Sequence, residues 1–204
     1  MYRRLFATLL AHADGAQHRL YGDLKRELFA PLAGTVLEIG PGSGLNLQYL
    51  PDAVDRWIGV EPNPHFHGYI EKQEASGRFE IATHEAVAEE LPVADRTVDA
   101  VISTLVLCSV DSVERSLDEI RRVLRPGGRF VFIEHVAAED GRWLHATQRA
   151  IQPLWCYCAD GCHLQRRTHE NIQNAGFSEV DITHRSIGTR FNLVQPHISG
   201  WAIA

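Results

Sequence analysis

The feature that most constrains this chain is a run of three glycines at alternating positions directly after a short apolar segment. Residues 36–39 have the length and composition of a buried strand, and Gly40, Gly42 and Gly44 follow them. Glycine is needed where the backbone adopts a positive φ, or where a ligand approaches with no Cβ in the way. Residues 45–50 are predicted to open a helix. A strand, a tight turn and a helix N-terminus in this order are typical of a nucleotide-type site.

Two acidic side chains narrow the choice of ligand. Glu38 stands two positions before the first glycine, and Glu61 ends the next apolar segment, about twenty residues further on. In a dinucleotide site the helix N-terminus faces a pyrophosphate, and a carboxylate at Glu38 would repel that anion. The same carboxylate suits an amino group, while Glu61 can accept hydrogen bonds from both hydroxyls of a ribose. The pattern therefore favours a cationic amino acid joined to an adenosine over NAD.

Composition and charge exclude several classes of protein. A chain of 204 residues with 45% hydrophobic residues is long enough for one domain with a sizeable core. The net charge of −6, with no run of lysine or arginine, argues against a nucleic-acid partner.

The chain also lacks the pattern of a membrane span. No apolar run reaches the ~18 residues that a spanning helix needs, and the apolar stretch near the N-terminus is too short for a typical signal peptide. We therefore expect a cytoplasmic protein with free cysteines. Peripheral membrane association is left open, as is the choice between a monomer and a homodimer.

The remaining chain alternates between strand and helix patterns. The predicted strands are 35–40, 56–60, 79–82, 98–104, 129–134, 179–183 and 197–203, and the predicted helices are 65–75, 113–124, 143–151 and 168–175. Residues 1–32 are predicted as two short helices broken at Gly15 and Gly22, which could cover the site as a lid or pack on the sheet edge. The alternation predicts an α/β fold with a parallel sheet and right-handed crossovers.

Five motifs occur in the order found in one enzyme class. These are the stretch 36–44, Glu61, the turn 90–92, the strand 98–104 and the stretch 124–128, and together they resemble the class I S-adenosylmethionine-dependent methyltransferases. The resemblance implies a Rossmann-like, mostly parallel sheet of order 3-2-1-4-5-7-6, with the last strand antiparallel, helices on both faces and an N-terminal helical lid. It implies a single domain over 1–204, made of a lid (1–32), a cofactor-binding core (33–136) and substrate-side helices and closing strands (137–204).

The resemblance also implies a cofactor and its contacts. S-adenosylmethionine would be the methyl donor and S-adenosylhomocysteine the product, with Glu38 near the amino group and Glu61 on the ribose hydroxyls. The other implied contacts are Gly40, Pro41, Gly42, Gly44 and Asn46 along the methionine and ribose, Pro62 and Asn63 beside the adenosine, Ala88 and Glu89 at the adenine edge, and Thr104 and Leu105 at the reacting end. One departure is Val87, where many members carry an acid that accepts a hydrogen bond from the adenine amino group.

A closer resemblance concerns the acceptor. The stretches 104–110, 134–139, 160–162 and 196–198 are similar to the thiol S-methyltransferases of the methyltransferase-like family, which implies methyl transfer to the thiol of a small, fairly apolar molecule. A phenol oxygen, a quinone-ring carbon or a lipid amine fits the general motifs as well, and so does a cofactor-binding protein without catalysis. Those relatives are membrane-associated through an apolar N-terminal segment, and the N-terminus here is shorter and more polar.

Two residues are candidates for the proton acceptor in such a reaction. A thiol reacts as its thiolate, with an ordinary pKa of about 8.5, so a weak base is sufficient. His135 directly follows a predicted strand at the carboxyl edge of the sheet, and its imidazole suits this role. A histidine hydrogen-bonded in the pocket wall explains it equally well. Asp160 is the second candidate, as a base or as the group that orients a histidine, although an aspartate before Gly161 is also typical of a turn.

A cysteine-rich segment follows the predicted helix 143–151. Cys156, Cys158, Cys162 and His163 are of the residue types that bind zinc, but Cys-x-Cys is not the usual spacing, so no metal is predicted. Trp155, Tyr157 and Cys162 are predicted instead to line an apolar substrate pocket. An aromatic cover over the reacting centre is a further expectation, to which Tyr2, Phe6, Trp143 and Phe191 would contribute with Trp155 and Tyr157.

Overall fold

The computed structural model describes residues 2–74, 77–188 and 193–204. The strands are β1 (Gly34–Ile39), β2 (Val54–Val60), β3 (Glu80–His84), β4 (Val98–Thr104), β5 (Leu124–His135), β6 (Glu179–Ser186) and β7 (Pro196–Ile203). The α-helices are α1 (Tyr2–His12), α2 (Asp14–Phe29), α3 (His67–Glu74), α4 (Val113–Val123), α5 (Trp143–Cys158) and α6 (Thr168–Asn174). Short 3-10 helices occupy Leu45–Tyr49 and Pro64–Phe66.

The strands form one sheet whose order brings the site together. The order is β3-β2-β1-β4-β5-β7-β6, and β7 runs antiparallel to both of its neighbours while the other pairs are parallel. The predicted order and the antiparallel last strand are confirmed. Because β1, β2, β4 and β5 are parallel, the residues that follow their carboxyl ends lie along one edge of the sheet.

Apolar side chains cover the sheet on both faces. On one face, Leu117 and Ile120 of α4 pack in a cluster with Phe130 of β5. On the other, Phe29 of α2 belongs to a second cluster with Trp57. A parallel sheet with both faces covered has strands that are apolar along most of their length, which explains why its strands were recognisable in the sequence. None of the helices within the described ranges is long and apolar enough to cross a membrane.

The break between the first two helices differs from the prediction. It falls at Ala13, and both Gly15 and Gly22 lie inside α2. A Cβ on Gly22 would lie 3.4 Å from the hydroxyl oxygen of Tyr49. This glycine therefore allows α2 to approach the first 3-10 helix closely, and it does not end a helix.

Helix α5 is longer than predicted and continues through Pro153 to Cys158. Proline removes one hydrogen bond within a helix, but two side chains that precede that position anchor α5. Gln148 accepts a hydrogen bond from the backbone N–H of Ala138 (2.8 Å), and Gln152 accepts one from that of Leu164 (2.7 Å). Contacts between distant residues here override the local effect of the proline.

Two other predicted boundaries shift. The segment after the glycine turn is a single 3-10 helix, because Leu50 precedes Pro51 and is extended (ψ 135°). The stretch 125–128, predicted as a break, belongs to β5. Its backbone pairs with the chain end, where Ala204 exchanges hydrogen bonds with Gly127 and Gly128.

Candidate active site

The glycine turn lies at the carboxyl end of β1, at the edge of a cavity. Gly40, Gly42 and Gly44 all have positive φ, at 55°, 55° and 79°. A Cβ on Gly40 would lie 2.6 Å from the side chain of Val106, whereas a Cβ on Gly42 would meet nothing closer than Leu10 at 3.5 Å. Gly40 is therefore required by packing as well as by φ. At Gly42 the absence of a side chain leaves open space on the cavity wall, which a larger residue would fill.

The cavity has a volume of about 290 Å³ and gathers many of the predicted site residues. Those on its wall are Glu38, Gly40, Pro41, Gly42, Asn46, Thr104, Leu105, His135, Trp155 and Cys162. Helices α1 and α2 close it from the opposite side through Phe6, Leu10, Gln17, Tyr21 and Lys25. Residues from the glycine turn, β1, β4, β5 and the turn after α5 therefore face one space.

Glu38 is the buried acid beside the glycine turn. Its two carboxylate oxygens accept hydrogen bonds from the Asn46 side-chain amide (2.8 Å) and the Trp57 indole N–H (3.0 Å). Burial raises the pKa of Glu38 to about 7, although these two donors and the charge of Lys25 act to lower it. The amide oxygen of Asn46 is buried and has no hydrogen-bond partner among the described residues. The two side chains thus present acceptor atoms that suit an incoming ammonium group.

The raised pKa of Glu38 makes the stability of the cofactor-free protein depend on pH. Between its ordinary pKa of 4.5 and about 7, the folded chain retains a proton that the unfolded chain has lost, so stability falls as pH rises through this window. The loss from this group is about 3 kcal/mol when complete. Urea unfolding between pH 5 and 7 should show the decline in the wild type and a flatter dependence in Glu38→Gln. Parallel curves for the two proteins would contradict this assignment.

Glu61 follows β2 and ties the glycine turn to the next loop. One oxygen of its carboxylate accepts a hydrogen bond from the backbone N–H of Gly42 (3.1 Å), and the other accepts one from that of Asn63 (2.9 Å). Burial raises its pKa, and the nearby charge of Asp160 adds to the rise. Each carboxylate oxygen has a second lone pair, so both can accept a further hydrogen bond from a diol.

Helix α1 docks onto this side of the site. The guanidinium of Arg3 donates to the carbonyl of Pro62 (3.1 Å), and the side-chain amide of Asn63 donates to the carbonyl of Arg3 (3.1 Å). Leu10 of the same helix lies over Gly42. These contacts place α1 across the residues predicted to border an adenosine.

Sulfur and imidazole groups form the far end of the cavity. The Nε2 atom of His135 lies 3.0 Å from the Sγ atom of Cys162, and the indole N–H of Trp155 donates to the same sulfur at 3.2 Å. The thiol of Cys108 also hydrogen-bonds to Cys162, which lowers the pKa of Cys162 to about 4 and raises that of Cys108. The Nδ1 atom of His135 is buried without a hydrogen-bond partner among the described residues. Cys108 was not predicted as a site residue, because a lone cysteine after an apolar strand looks like core.

A group of buried polar side chains from α2 and β7 was also missed by the sequence reasoning. The imidazole of His197 donates from Nδ1 to the carbonyl of Gln195 (3.0 Å), which leaves Nε2 to accept from the hydroxyl of Tyr21 (2.9 Å). Burial lowers the pKa of His197 to about 4 and raises that of Tyr21 to about 12. Lys25 is 1% exposed, and burial lowers its pKa to about 8. Nothing in the local sequence around Tyr21, Lys25 or His197 shows that these side chains are buried beside a cavity.

Backbone strain occurs at the predicted reacting end. Leu105 has a φ of 59°, which is rare for a residue other than glycine and is found most often at functional sites. The buried carboxylate of Glu134 holds the turn, accepting from the hydroxyl of Ser103 (2.5 Å) and the backbone N–H of Val106 (3.2 Å). Leu105 is thus held on the cavity wall by a neighbouring strand.

Several predicted site residues lie away from the cavity wall. Gly44 starts the first 3-10 helix, Ala88 is buried in the core, and the Glu89 carboxylate accepts from the backbone N–H of Ser112 (3.0 Å). Asp160 lies near Glu61, as its effect on the pKa of that residue indicates. Tyr157 is 80% exposed.

The predicted cysteine segment and aromatic cover are only partly brought together. Cys158 is exposed, while Cys162 turns inward toward residues from β5 and the turn after β4. Phe6 and Trp155 line the cavity, whereas Trp143 is 55% exposed. Phe191 and the side chain of Tyr2 lie outside what the structure describes.

Comparison with solved structures defines the class of protein. A methyltransferase bound to the Trm112 activator from Haloferax volcanii matches with a TM-score of 0.71 at 18% identity, covering 98% of this chain and 97% of that chain. A possible histamine N-methyltransferase from Thermotoga maritima gives 0.67 at 18% identity, with coverages of 100% and 99%. The fold is therefore that of the S-adenosylmethionine-dependent methyltransferases.

Sequence comparison identifies the family. Residues 37–132 match the family described as a methyltransferase domain. Human thiol S-methyltransferase TMT1B is 37% identical over 97% of this chain and 85% of its own length, and human TMT1A is 40% identical over 88% and 78%. The chain belongs to the methyltransferase family that contains these two proteins. It is an S-adenosylmethionine-dependent methyltransferase, with S-adenosylhomocysteine as the product.

Proposed function

We propose that this methyltransferase transfers the methyl group to the thiol of a small, fairly apolar molecule. The observation that carries this proposal is the group of Cys108, His135 and Cys162 at the end of the cavity. A thiol must ionise before it attacks, and these side chains line the same cavity as Thr104 and Leu105, which are assigned to the reacting end. The names of the human relatives support a thiol acceptor, and the mixed apolar wall with Phe6, Leu105 and Trp155 suits an apolar molecule.

The cavity wall supports binding of the cofactor at its amino-acid end. When bound, S-adenosylmethionine supplies a methyl group on a positively charged sulfur, which a nucleophile can displace in one step. Glu38 and the amide oxygen of Asn46 accept hydrogen bonds from its ammonium group. Lys25 is the one lysine or arginine among the described lining residues, and we assign it to the carboxylate. Gly42 has no Cβ that would interfere with the bound cofactor.

Glu61 and its neighbours are proposed for the nucleoside end. Both oxygens of the Glu61 carboxylate retain a lone pair for the ribose hydroxyls. Pro62 and Asn63 follow Glu61 in the chain and are assigned to the adenosine, and Ala88 and Glu89 are assigned to the adenine edge. Because α1 hydrogen-bonds to Pro62 and Asn63, we assign α1 and α2 the role of a lid that encloses the cofactor and excludes water.

The remaining residues are proposed to orient and ionise the acceptor. Thr104 and the strained Leu105 position the reacting end, Trp155 and Cys162 contact the acceptor, and His135 with Cys162 promotes loss of the thiol proton. Holding the nucleophile in line with the methyl group provides most of the rate enhancement in such a displacement. Asp160 lies near enough to Glu61 to raise the pKa of that carboxyl group, which supports a role for Asp160 at the nucleoside end. A small-molecule acceptor in the cytoplasm fits this assignment.

Matched acceptors provide the test. The purified protein would be incubated with labelled S-adenosylmethionine and a thiol, a phenol and an amine of the same carbon skeleton, and the products identified by mass spectrometry. We expect the thioether as the main product. Methylation of the phenol or the amine without the thiol would refute the thiol assignment. Binding of S-adenosylhomocysteine by calorimetry, with no transfer to any acceptor, would indicate a non-catalytic protein.

A further inference from the structure

We propose that Cys108, His135 and Cys162 bind a zinc ion whose fourth position receives the acceptor thiolate. The three side chains are buried, and their ligand atoms all lie within 4.8 Å of one another. Two thiolates and an imidazole are a ligand set that zinc prefers. The metal site stands on these three residues alone, while the identity of the fourth ligand rests on the proposed thiol acceptor.

The spacing of the ligand atoms is close to that of a tetrahedral site. Zinc–sulfur bonds of about 2.3 Å and zinc–nitrogen bonds of about 2.0 Å place a tetrahedral sulfur–nitrogen pair roughly 3.5 Å apart and a sulfur–sulfur pair roughly 3.8 Å apart. The observed distance from His135 Nε2 to Cys162 Sγ is 3.0 Å, and the third ligand lies within 4.8 Å of both. Small side-chain adjustments are sufficient to reach the ideal spacing.

The ligands come from three segments whose backbones are held in place. His135 ends β5, where it is paired with His197 of β7. Cys108 lies in the turn after β4, and its carbonyl accepts a hydrogen bond from the backbone N–H of His163 (2.8 Å), next to Cys162. The turns that carry the two cysteines are therefore hydrogen-bonded to each other. A site whose ligands are fixed in this way needs little ordering when the ion binds.

The cavity supplies the open position that a catalytic zinc site requires. Such sites use three protein ligands and leave the fourth for water or substrate. Cys108, His135 and Cys162 all lie on the wall of the cavity that also contains Thr104 and Leu105. The indole N–H of Trp155 donates to the sulfur of Cys162, an outer contact of the kind that orients metal ligands.

A zinc ion at this position would ionise the acceptor directly. The thiol binds the open position as a thiolate and releases its proton to solvent. The thiolate sulfur then forms a bond to the methyl carbon as the bond from that carbon to the cofactor sulfur breaks, and the electron pair of the broken bond leaves with the cofactor. The product thioether is neutral and a weaker ligand than a thiolate, so it dissociates.

Cobalt spectroscopy and metal analysis test the proposal without relying on activity. The protein would be purified without chelator or metal-affinity tag and analysed for zinc, then stripped and loaded with Co²⁺. We expect about one zinc per chain and the absorption bands of thiolate-bound, tetrahedral cobalt, which should change when an acceptor thiol is added. Cys108→Ser and Cys162→Ser should each weaken zinc binding by about a hundredfold or more, because even outer-shell changes cost 10–100-fold.

Matched variants keep this result interpretable. Cys156→Ser and Cys158→Ser alter cysteines on α5 that lie outside the cavity, and they should retain wild-type zinc affinity. His135→Asn provides a third ligand change if a serine variant fails to fold. Wild-type zinc affinity in folded ligand variants would overturn the proposal, as would thiol methylation by fully zinc-free protein. Zinc binding without thiol methylation would instead refute the proposed acceptor and leave the metal site standing.

Discussion

Replacing Glu61 with alanine is expected to raise the dissociation constant of S-adenosylhomocysteine by about a hundredfold or more, since two hydrogen bonds to a charged acceptor contribute about 1.5–3 kcal/mol each. The change removes the acceptor proposed for both ribose hydroxyls. It also releases the backbone N–H groups of Gly42 and Asn63, which the carboxylate now holds. Titration calorimetry with the purified variant measures the loss.

Two further variants separate this effect from unfolding. Glu61→Gln keeps the shape of the side chain and should cause a smaller loss of affinity, by about tenfold. Glu80→Gln changes an exposed glutamate on β3 that pairs with Arg56, and its affinity should equal that of the wild type. Wild-type affinity in Glu61→Ala would show that the nucleoside is bound elsewhere.

Replacing His135 with asparagine is expected to lower kcat for thiol methylation about a hundredfold or more at pH 7, the usual contribution of a group that assists proton loss. The dissociation constant of the cofactor should change little, because His135 is not among the residues proposed to bind it. The rate of the variant should then rise about tenfold per pH unit toward the pKa of the free thiol near 8.5, as the thiolate fraction grows.

The control for this variant is a partly exposed histidine outside the cavity. His145 of α5 lies 3.5 Å from the carboxylate of Asp140, and His145→Asn should retain wild-type turnover. A kcat for His135→Asn within about twofold of the wild type would remove His135 from the reaction. Zinc content measured on the same samples tells whether His135 acts as a metal ligand or on the proton itself.

The residues around the glycine turn could be predicted from the sequence more completely than those at the acceptor end of the cavity. The glycine turn with Glu38 and Glu61 was recognised from the sequence because local spacing alone places these residues at the ends of two neighbouring parallel strands. At the acceptor end, His135 and Cys162 were candidates from the sequence, but their meeting with Cys108 was not predicted, because the three lie in segments separated by many residues. Their meeting depends on how β4 and β5 pair and on the turn after α5.

The helix boundaries likewise depend on tertiary packing as well as on the local sequence. Gly22 and Pro153 are local signals for a break, and both are overridden by packing: α2 needs the glycine to approach Tyr49, and two glutamines that precede the proline anchor α5 to neighbouring segments. A break predicted from one residue ignores the free energy contributed by contacts with distant segments.

The sequence by itself therefore determined the α/β fold, the strand order implied by its resemblance to a family, and the glycine turn with its two acids. The α/β alternation and the glycine turn follow from hydrophobic periodicity and short-range spacing, which are local properties of a chain, whereas the strand order is what the resemblance implies. Only the tertiary structure decided that Lys25 and Tyr21 enclose the site, that Tyr157 faces away, and that a cysteine from the β4 turn joins His135 and Cys162. Such contacts join residues far apart in sequence, and their distances are set by the packing of the whole sheet.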